Sequence, residues 1–358
     1  MKKYNQKLNH LFKRDLYSMK NKERFFFKAM FDLTKLHYLN CKSYKKILDG
    51  LAYKFKNKFY LSELPYLPIR VFKNNKLLSV AKKNIIKILR SSGTTGISTS
   101  KIYLDRINSY NQIKTLNKIV KSTLGNDRLP MLIIDKKFSL NNDNEINARI
   151  AAINGFGIFG KNHTYLLNDK EEINYKEFKT FIKKYGSSKF LIFGFTGVVY
   201  ENLIRKFDIK KNHYNLSNGI ILHGGGWKKL EQIKISNDKF KSILFKKFNI
   251  KNVVNYYGLI EQTGSIFLEC SKCSRFVTSE FSNIIIRDKN LEVCKNNESG
   301  MIQTMSLLPT SYPGHNILTE DIGEIKDQDN CPCGKKGKYF LVHGRIKEAE
   351  VRGCSNVR

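Results

Sequence analysis

No run of 18 apolar residues occurs in this 358-residue chain, so no transmembrane helix is expected. The opening Met1-Lys2-Lys3-Tyr4-Asn5-Gln6 is basic but lacks the apolar core of a secretory signal. Cysteine is too sparse and uneven for a disulfide framework: seven residues, an odd number, in a chain without a leader. The cytoplasm is therefore the default compartment. Acidic residues are scarce, 31 against 64 Lys and Arg, for a net charge of +33. No RNA-recognition, zinc-finger or helix-turn-helix signature accompanies that charge. The lysines are scattered among Asn and Ile along the whole length, which favours solvated surface charge over a nucleic-acid site. An acidic partner stays open as the minority reading. No G-x-x-x-x-G-K-[ST] occurs either, which removes the main support for a mononucleotide kinase. Internal repeats and low-complexity tracts are also missing, and Asn141-Asn142-Asp143-Asn144 is only a short polar loop.

What is present is a globular pattern, 41% hydrophobic and long enough for one or two domains. Apolar residues recur at helical spacing in residues 1–60 (Leu11, Phe12, Leu16; Phe26, Phe27, Met30, Phe31, Leu33), a helical lead. A turn with two prolines follows at 62–68. Short apolar runs at 131–135, 190–193 and 219–223 read as buried strands, and 171–185, 198–207 and 238–248 as helices. Strands alternating with helices predict an α/β fold over 61–263, with ligand loops at strand ends. Short strands (264–268, 283–286, 338–342) then predict a β-rich subdomain over 264–343, followed by a tail at 344–358.

The most informative stretch is Ser91-Ser92-Gly93-Thr94-Thr95-Gly96-Ile97-Ser98-Thr99-Ser100-Lys101, after an apolar run at 85–90 that reads as strand or short helix. Two glycines allow close backbone approach, the hydroxyls and N–H groups donate, and Lys101 adds charge. This inventory suits a polyphosphate; a polar surface loop is the alternative.

The run resembles the phosphate loop of the adenylate-forming ligases. Three further motifs follow in that superfamily's order. His223-Gly224-Gly225-Gly226-Trp227-Lys228-Lys229 resembles its adenine-side glycine turn, and Tyr256-Tyr257-Gly258-Leu259-Ile260-Glu261 its Tyr-Gly-x-x-Glu motif. Leu318-Thr319-Glu320-Asp321 with Gly344-Arg345 resembles its ribose aspartate and hinge arginine. The His-Gly-Gly-Gly-Trp-Lys form and the closing Arg352-Gly353-Cys354-Ser355 look like the acyl-protein synthetases (LuxE type), relatives of phenylacetate–CoA ligase. The likeness covers roughly residues 60–358.

The resemblance implies a large domain of layered sheets and helices with a small β-subdomain. The superfamily's C-terminal lid, about a hundred residues, would be missing. It implies ATP-dependent activation of a carboxylic acid, a fatty acid in that family. Ser91, Ser92, Gly93, Thr94, Thr95, Gly96 and Lys101 would hold phosphates, and Glu261 would hold Mg²⁺. His223 and Gly224–Gly226 would lie beside adenine, Tyr257 and Gly258 would complete the nucleotide site, and Asp321 would take the ribose. Arg345 would reach the ribose or the acyl phosphate. Cys354 would accept the acyl group and pass it to a partner reductase or transferase; otherwise it is a spectator near the chain end. An acyl–CoA ligase and a non-catalytic nucleotide- or nucleic-acid-binding protein are the alternatives.

Independently of that likeness, Cys270-Ser271-Lys272-Cys273 and Cys331-Pro332-Cys333-Gly334 have the paired spacing of a structural zinc site; buried or free thiols are the alternative. Cys41 and Cys294 read as core residues. Trp227 is either an adenine-side aromatic or core. The run 155–160, Gly-Phe-Gly-Ile-Phe-Gly, either lines the acid pocket or forms packed turns.

Overall fold

The computed structural model describes residues 2–19, 22–55, 60–91, 99–138, 145–208, 214–227, 232, 233 and 235–346. The helical lead comprises α1 (Lys2–Lys13), α2 (Glu23–Asn40) and α3 (Lys42–Gly50). The two-proline turn carries a short strand, β1 (Leu67–Pro68), and α4 (Val71–Asn74) follows. Then come β2 (Ile85–Arg90), β3 (Lys101–Asp105), α5 (Arg106–Leu124), β4 (Leu129–Ile133), β5 (Glu145–Asn147), α6 (Ala148–Gly157) and β6 (Gly160–Tyr165). The centre continues with α7 (Tyr175–Tyr185), β7 (Phe190–Phe195), α8 (Thr196–Val199), a π-helix over Tyr200–Lys206, β8 (Gly219–Gly224), α9 (Asn237–Phe248) and β9 (Asn252–Tyr257). The last strands are β10 (Phe267–Glu269), β11 (Phe276–Val277), β12 (Ser282–Arg287), β13 (Gly300–Ser306), β14 (Asn316–Gln328) and β15 (Lys338–Arg345).

One sheet joins most of these, in the order β12-β13-β14-β15-β11-β10-β9-β8-β7-β4-β6, with β1 beside β14. Its β6, β4, β7, β8 and β9 strands pair in parallel, while β9 onward to β12 pair antiparallel. The switch falls between β9 and β10, so the β-rich part continues the same ladder as the α/β part. A smaller sheet runs β3-β2-β5.

Burial on both faces explains why the parallel strands read as apolar runs. All six residues of β7, Phe-Leu-Ile-Phe-Gly-Phe, are buried. Phe190 meets Phe181 of α7 at 5.5 Å, and Phe193 meets Phe156 of α6 at 4.8 Å. These two phenylalanines point to opposite faces of the strand, so helices cover the sheet on both sides.

Local signals set the helix starts. The Asp105 side chain accepts from Asn108 N at 2.8 Å at the head of α5, and Ser236 accepts from Lys239 N at 3.2 Å at the head of α9. Asn174 caps α7 at Glu177 N, so the helix read over 171–185 begins at Tyr175. The helix read over 198–207 is α8 followed by the π-turns. The strand read over 264–268 starts at Phe267, because Gly264 (φ +86°) first presses against the Gln112 backbone. No helix among the described residues is long and apolar enough to cross a membrane.

The lead docks on the antiparallel part through buried polar groups. Lys22 Nζ donates to the Ser279 and Ser282 carbonyls, and burial lowers its pKa to about 7. His37 Nδ1 contacts Ser79 Oγ at 2.8 Å and Nε2 contacts the Pro309 carbonyl at 3.1 Å. Its ring stacks 4.8 Å from that of His315. Burial lowers the His37 pKa to about 3 and pushes His315 down as well.

Both imidazoles stay neutral in the fold while the unfolded chain takes up protons near the ordinary value of 6.5. Stability is therefore present above pH 6.5 and is lost as the pH falls towards about 3. Each such group contributes a slope of about 1.4 kcal/mol per pH unit inside that window. Thermal melts between pH 7 and pH 5 should show this slope, and His37→Gln should reduce it by one group's share; parallel profiles would refute the assignment.

Candidate functional site

The carboxyl ends of β4, β7, β8 and β9 lie along one edge of the sheet, because these strands run parallel. Each delivers a polar residue there. Asp135 follows β4, Thr196 follows β7, His223 and Gly224 end β8, and Tyr257 ends β9.

His223 is buried, and its Nδ1 lies 2.9 Å from Thr196 Oγ1. Burial, and then the Lys241 charge, lower its pKa to about 3, so the ring is a neutral hydrogen-bonding group. Its Nε2 has no partner among the described residues. Gly224 pairs with Tyr256 across the β8–β9 ladder, and a Cβ there would lie 2.5 Å from the Tyr256 ring and carbonyl oxygen. Gly225 turns away with φ +79°. Trp227 is core: its ring packs 4.9 Å from Tyr200 and 6.2 Å from Phe240.

Tyr257, Asp321 and Arg345 come together although 64 and 24 positions separate them from Asp321 in the chain. Tyr257 Oη donates to Asp321 Oδ2 at 2.7 Å, and Arg345 Nε donates to Oδ1 at 3.2 Å. Asp321 and Arg345 are also direct partners in the β14–β15 ladder. Burial, then the Asp321 carboxylate, hold the Tyr257 hydroxyl protonated well above its usual range. Thr319 Oγ1 accepts from Asp321 N at 3.1 Å and donates to the Ile302 carbonyl, which fixes the aspartate from behind.

Glu261 sits on a pinned turn. Its carbonyl accepts from Tyr312 Oη at 2.7 Å, and Gln262 Nε2 donates to the Thr304 and Gly314 carbonyls. Its side chain is buried. Leu259 and Ile260 pack on the cluster of Leu89, Ile102, Leu104, Phe72 and Tyr312, so this turn shares a core with the β2–β3 hairpin. In the sequence the hydroxyl-rich run separates β2 from β3. Ser91 N donates to the Ser100 carbonyl at 3.0 Å and Ser100 N donates to Ser91 Oγ at 2.9 Å. Lys101 opens β3 with its side chain exposed. Ser92, Gly93, Thr94, Thr95, Gly96 and Cys354 lie outside the described residues.

The 155–160 run is packed: Phe156 and Phe159 are buried, and a Cβ at Gly160 would strike Met131. Cys41 is buried in the core, as read, whereas Cys294 is only half-buried at the edge of the cluster around Phe267. Cys270, Cys273 and Cys331 converge with their sulfurs within 4.8 Å of one another.

Sequence reasoning passed over two features. One is Thr196, which no motif marks. The other is a buried ion pair at the end of β4: Arg149 donates from Nε to Asp135 Oδ2 at 2.7 Å and from Nη2 to Oδ1 at 2.6 Å. Burial raises the Asp135 pKa against that pairing. The only available signal was a lone acid closing an apolar run.

Comparison with known proteins follows the same lines. The family model described as "Acyl-protein synthetase, LuxE" matches residues 12–358. The chain belongs to that family. Membership makes it an enzyme of the AMP-forming ligase kind. The "Long-chain-fatty-acid–luciferin-component ligase" of Aliivibrio fischeri is 23% identical over 84% of this chain and 79% of that protein. The Vibrio harveyi protein of the same description is 23% identical over 38% of this chain, so that match spans about a third (35%) of the relative. Among solved structures, 2-hydroxyisobutyryl-CoA ligase in its postadenylation state superposes with a TM-score of 0.70 at 12% identity, covering 93% of this chain and 70% of that one. That likeness establishes the fold of the adenylate-forming ligases for this acyl-protein synthetase family member.

Gly224 offers a direct check of how tightly the β8 turn is built. Gly224→Ala should lower stability by about 1–3 kcal/mol, because the methyl group meets both the Tyr256 carbonyl and the buried Tyr256 ring. A denaturation midpoint equal to that of the parent chain would refute the close packing.

Proposed function

We propose that this enzyme uses ATP and Mg²⁺ to activate a carboxylic acid, a long-chain fatty acid as in its curated relatives, and then transfers the acyl group to Cys354. The observation that carries the reading is the Tyr257–Asp321–Arg345 group beside the β8 and β9 strand ends, in a chain of this family.

Activation joins two anions. The acid's carboxylate attacks the α-phosphate of ATP, the bond to the β-phosphate breaks, and pyrophosphate leaves. The barrier is then largely one of charge and position. A carboxylate has roughly four lone-pair sites, and Tyr257 and Arg345 occupy one on each oxygen of Asp321. The remaining sites would accept the ribose hydroxyls. Arg345, held at the aspartate, carries positive charge towards the reacting phosphate. The hydroxyl-rich loop and Lys101 would grip the outer phosphates. Glu261 is a hard oxygen donor on a rigid turn and fits Mg²⁺, which supplies neutralising charge when bound. Neutral His223 would keep cationic charge away from the adenine edge while Gly224–Gly226 let the backbone approach it.

In the second step the Cys354 thiolate attacks the acyl carbonyl, a thioester forms and AMP leaves. Arg352 beside it in the sequence favours the thiolate. The thioester would then be delivered to a partner acyl acceptor, a reductase or transferase.

Intact mass after incubation with Mg-ATP and a series of fatty acids tests both steps beside ATP–pyrophosphate exchange. The expected result is a gain of one acyl group, reversed by hydroxylamine and lost in Cys354→Ala, with exchange retained in that variant. Asp321→Ala and Lys101→Ala should each lower exchange by roughly 100-fold or more. Exchange without acylation would move the acceptor to coenzyme A or a carrier protein and overturn the cysteine step. Neither exchange nor acylation with any acid would overturn the activation itself.

A further inference from the structure

Away from the strand-end site, two turns meet at the other end of the β14–β15 hairpin. The first joins β10 to β11. Cys270 N donates to the Arg275 carbonyl at 2.8 Å and Ser274 N, at a residue with φ +53°, donates to the Cys270 carbonyl at 2.8 Å. This tight turn directs Cys270 and Cys273 to one side. The second lies between β14 and β15. Gly334 N donates to the Cys331 carbonyl at 3.0 Å, and Gly337 N donates to Asp329 Oδ1 at 2.7 Å. Strand β11 pairs with β15, through Phe276 with Phe340 and Val277 with Tyr339, so both turns leave the sheet at neighbouring positions.

The sulfurs converge there. Cys270 Sγ lies 3.6 Å from Cys331 Sγ, and Cys273 Sγ completes a group within 4.8 Å. Cys333 lies outside that group of three but packs against the same small core as they do, with its Sγ 3.1 Å from Tyr339 Oη. A tetrahedral zinc with Zn–S bonds of about 2.3 Å separates its sulfurs by about 3.8 Å. The observed spacing is close to that edge. A disulfide needs one pair at about 2.05 Å and leaves the remaining thiols without a role. The apolar packing here is too small to hold the turns by itself. Only Cys270, Val277 and Tyr339 are buried in this cluster, and β11 has two residues. A loop-rich element with so little core calls for a staple.

We propose that Cys270, Cys273, Cys331 and Cys333 bind one structural Zn²⁺ as thiolates. Binding releases the four thiol protons and forms four Zn–S bonds, with no change in oxidation state. Lys272, Arg275, Lys335 and Lys336 in the same two turns offset the net negative charge of the Zn(S⁻)₄ unit. The site also ties the lead segment to the hairpin, because Lys336 N donates to the Tyr17 carbonyl at 2.9 Å and Lys335 Nζ sits 4.7 Å over the Tyr17 ring. The same hairpin carries Asp321 and Arg345 at its far end. The metal therefore acts as a positioning element for that pair and touches no reacting group.

The test is metal content of the full chain purified without chelator, with Co²⁺ titration of the reduced, metal-stripped protein. About one zinc per chain is expected, together with the intense thiolate-to-cobalt absorption of a tetrahedral all-sulfur site. Cys270→Ser and Cys331→Ser should weaken metal binding more than roughly tenfold, while Cys294→Ser should leave it intact. Removing zinc should also lower the melting temperature. Negligible zinc with no cobalt spectrum in the parent chain would overturn the proposal, whether or not the variants fold. A mass deficit of two hydrogens that reductant restores, without metal, would show a disulfide instead.

Discussion

The antiparallel pairing of β9 with β10 is the constraint on which the rest of the molecule depends. Parallel strands need long crossovers, and their ligand edge is set by their common direction. By turning antiparallel at Phe267, the chain extends the same ladder through β11, β15 and β14, and these strands add a core of their own around Phe267, Ile284, Ile302 and Phe340. The extension brings the β14–β15 hairpin back beside the end of β9. Tyr257 can then reach Asp321 from a residue that ends a parallel strand. Few local signals would place those two side chains together; the sheet does it by geometry.

This arrangement also explains which parts of the fold could be read in the sequence. Strands β7 and β8 were legible because both faces are apolar, so the run itself is the signal. Residues 106–124, 300–306 and 316–328 were not, for a common physical reason. Helix α5 buries Asn108, Asn111, Gln112 and Thr115, and β13 and β14 bury Gln303, Thr304, Asn316, Thr319, Glu320 and Asp321. Their interior faces mix these polar residues with apolar ones such as Ile119, Val120, Ile302, Met305 and Ile317, and some of the polar groups are tied by internal hydrogen bonds. Asn108 Oδ1 accepts from Thr310 N and Ser311 N, and Gln303 Nε2 donates to Asn316 Oδ1 at 2.8 Å. Interleaved polar residues blur the hydrophobic periodicity of such segments. Partners such as these are a property of the fold and not of the local sequence.

The candidate site divides along the same line. Motifs made of local backbone chemistry were legible: the glycine turn after β8, and the Tyr-Gly step after β9. The roles expected of Asp321 and Arg345 rest on order and resemblance, and their direct pairing became visible only in the ladder. Thr196 and the Asp135–Arg149 pair were illegible because each acts through a partner distant in sequence. The paired cysteines stood out by spacing, and the structure adds what spacing lacks: the two turns issue from adjacent, hydrogen-bonded strands.

The charge imbalance is sharpened by this use of polar interiors. Among the described residues, Asp105, Asp135, Glu201, Glu261, Glu269, Glu280, Glu320 and Asp321 are buried, against only Lys22 and Arg287 of the basic side chains. Acids are drawn inward because a carboxylate accepts several donors at once and can cap, pin or pair. Glu269 shows this: its Oε1 accepts from Asn237 and Lys241 and its Oε2 from Asn255 N. Lysines mostly stay outside, where their ammonium groups remain hydrated. The surface is therefore more positive than composition alone indicates, since the few acids are disproportionately internal. Such a field concentrates anions around the molecule and is screened beyond about 8 Å at physiological salt. It suits a site whose proposed reactants, a polyphosphate and a carboxylate, are both anions that must be brought together against their own repulsion.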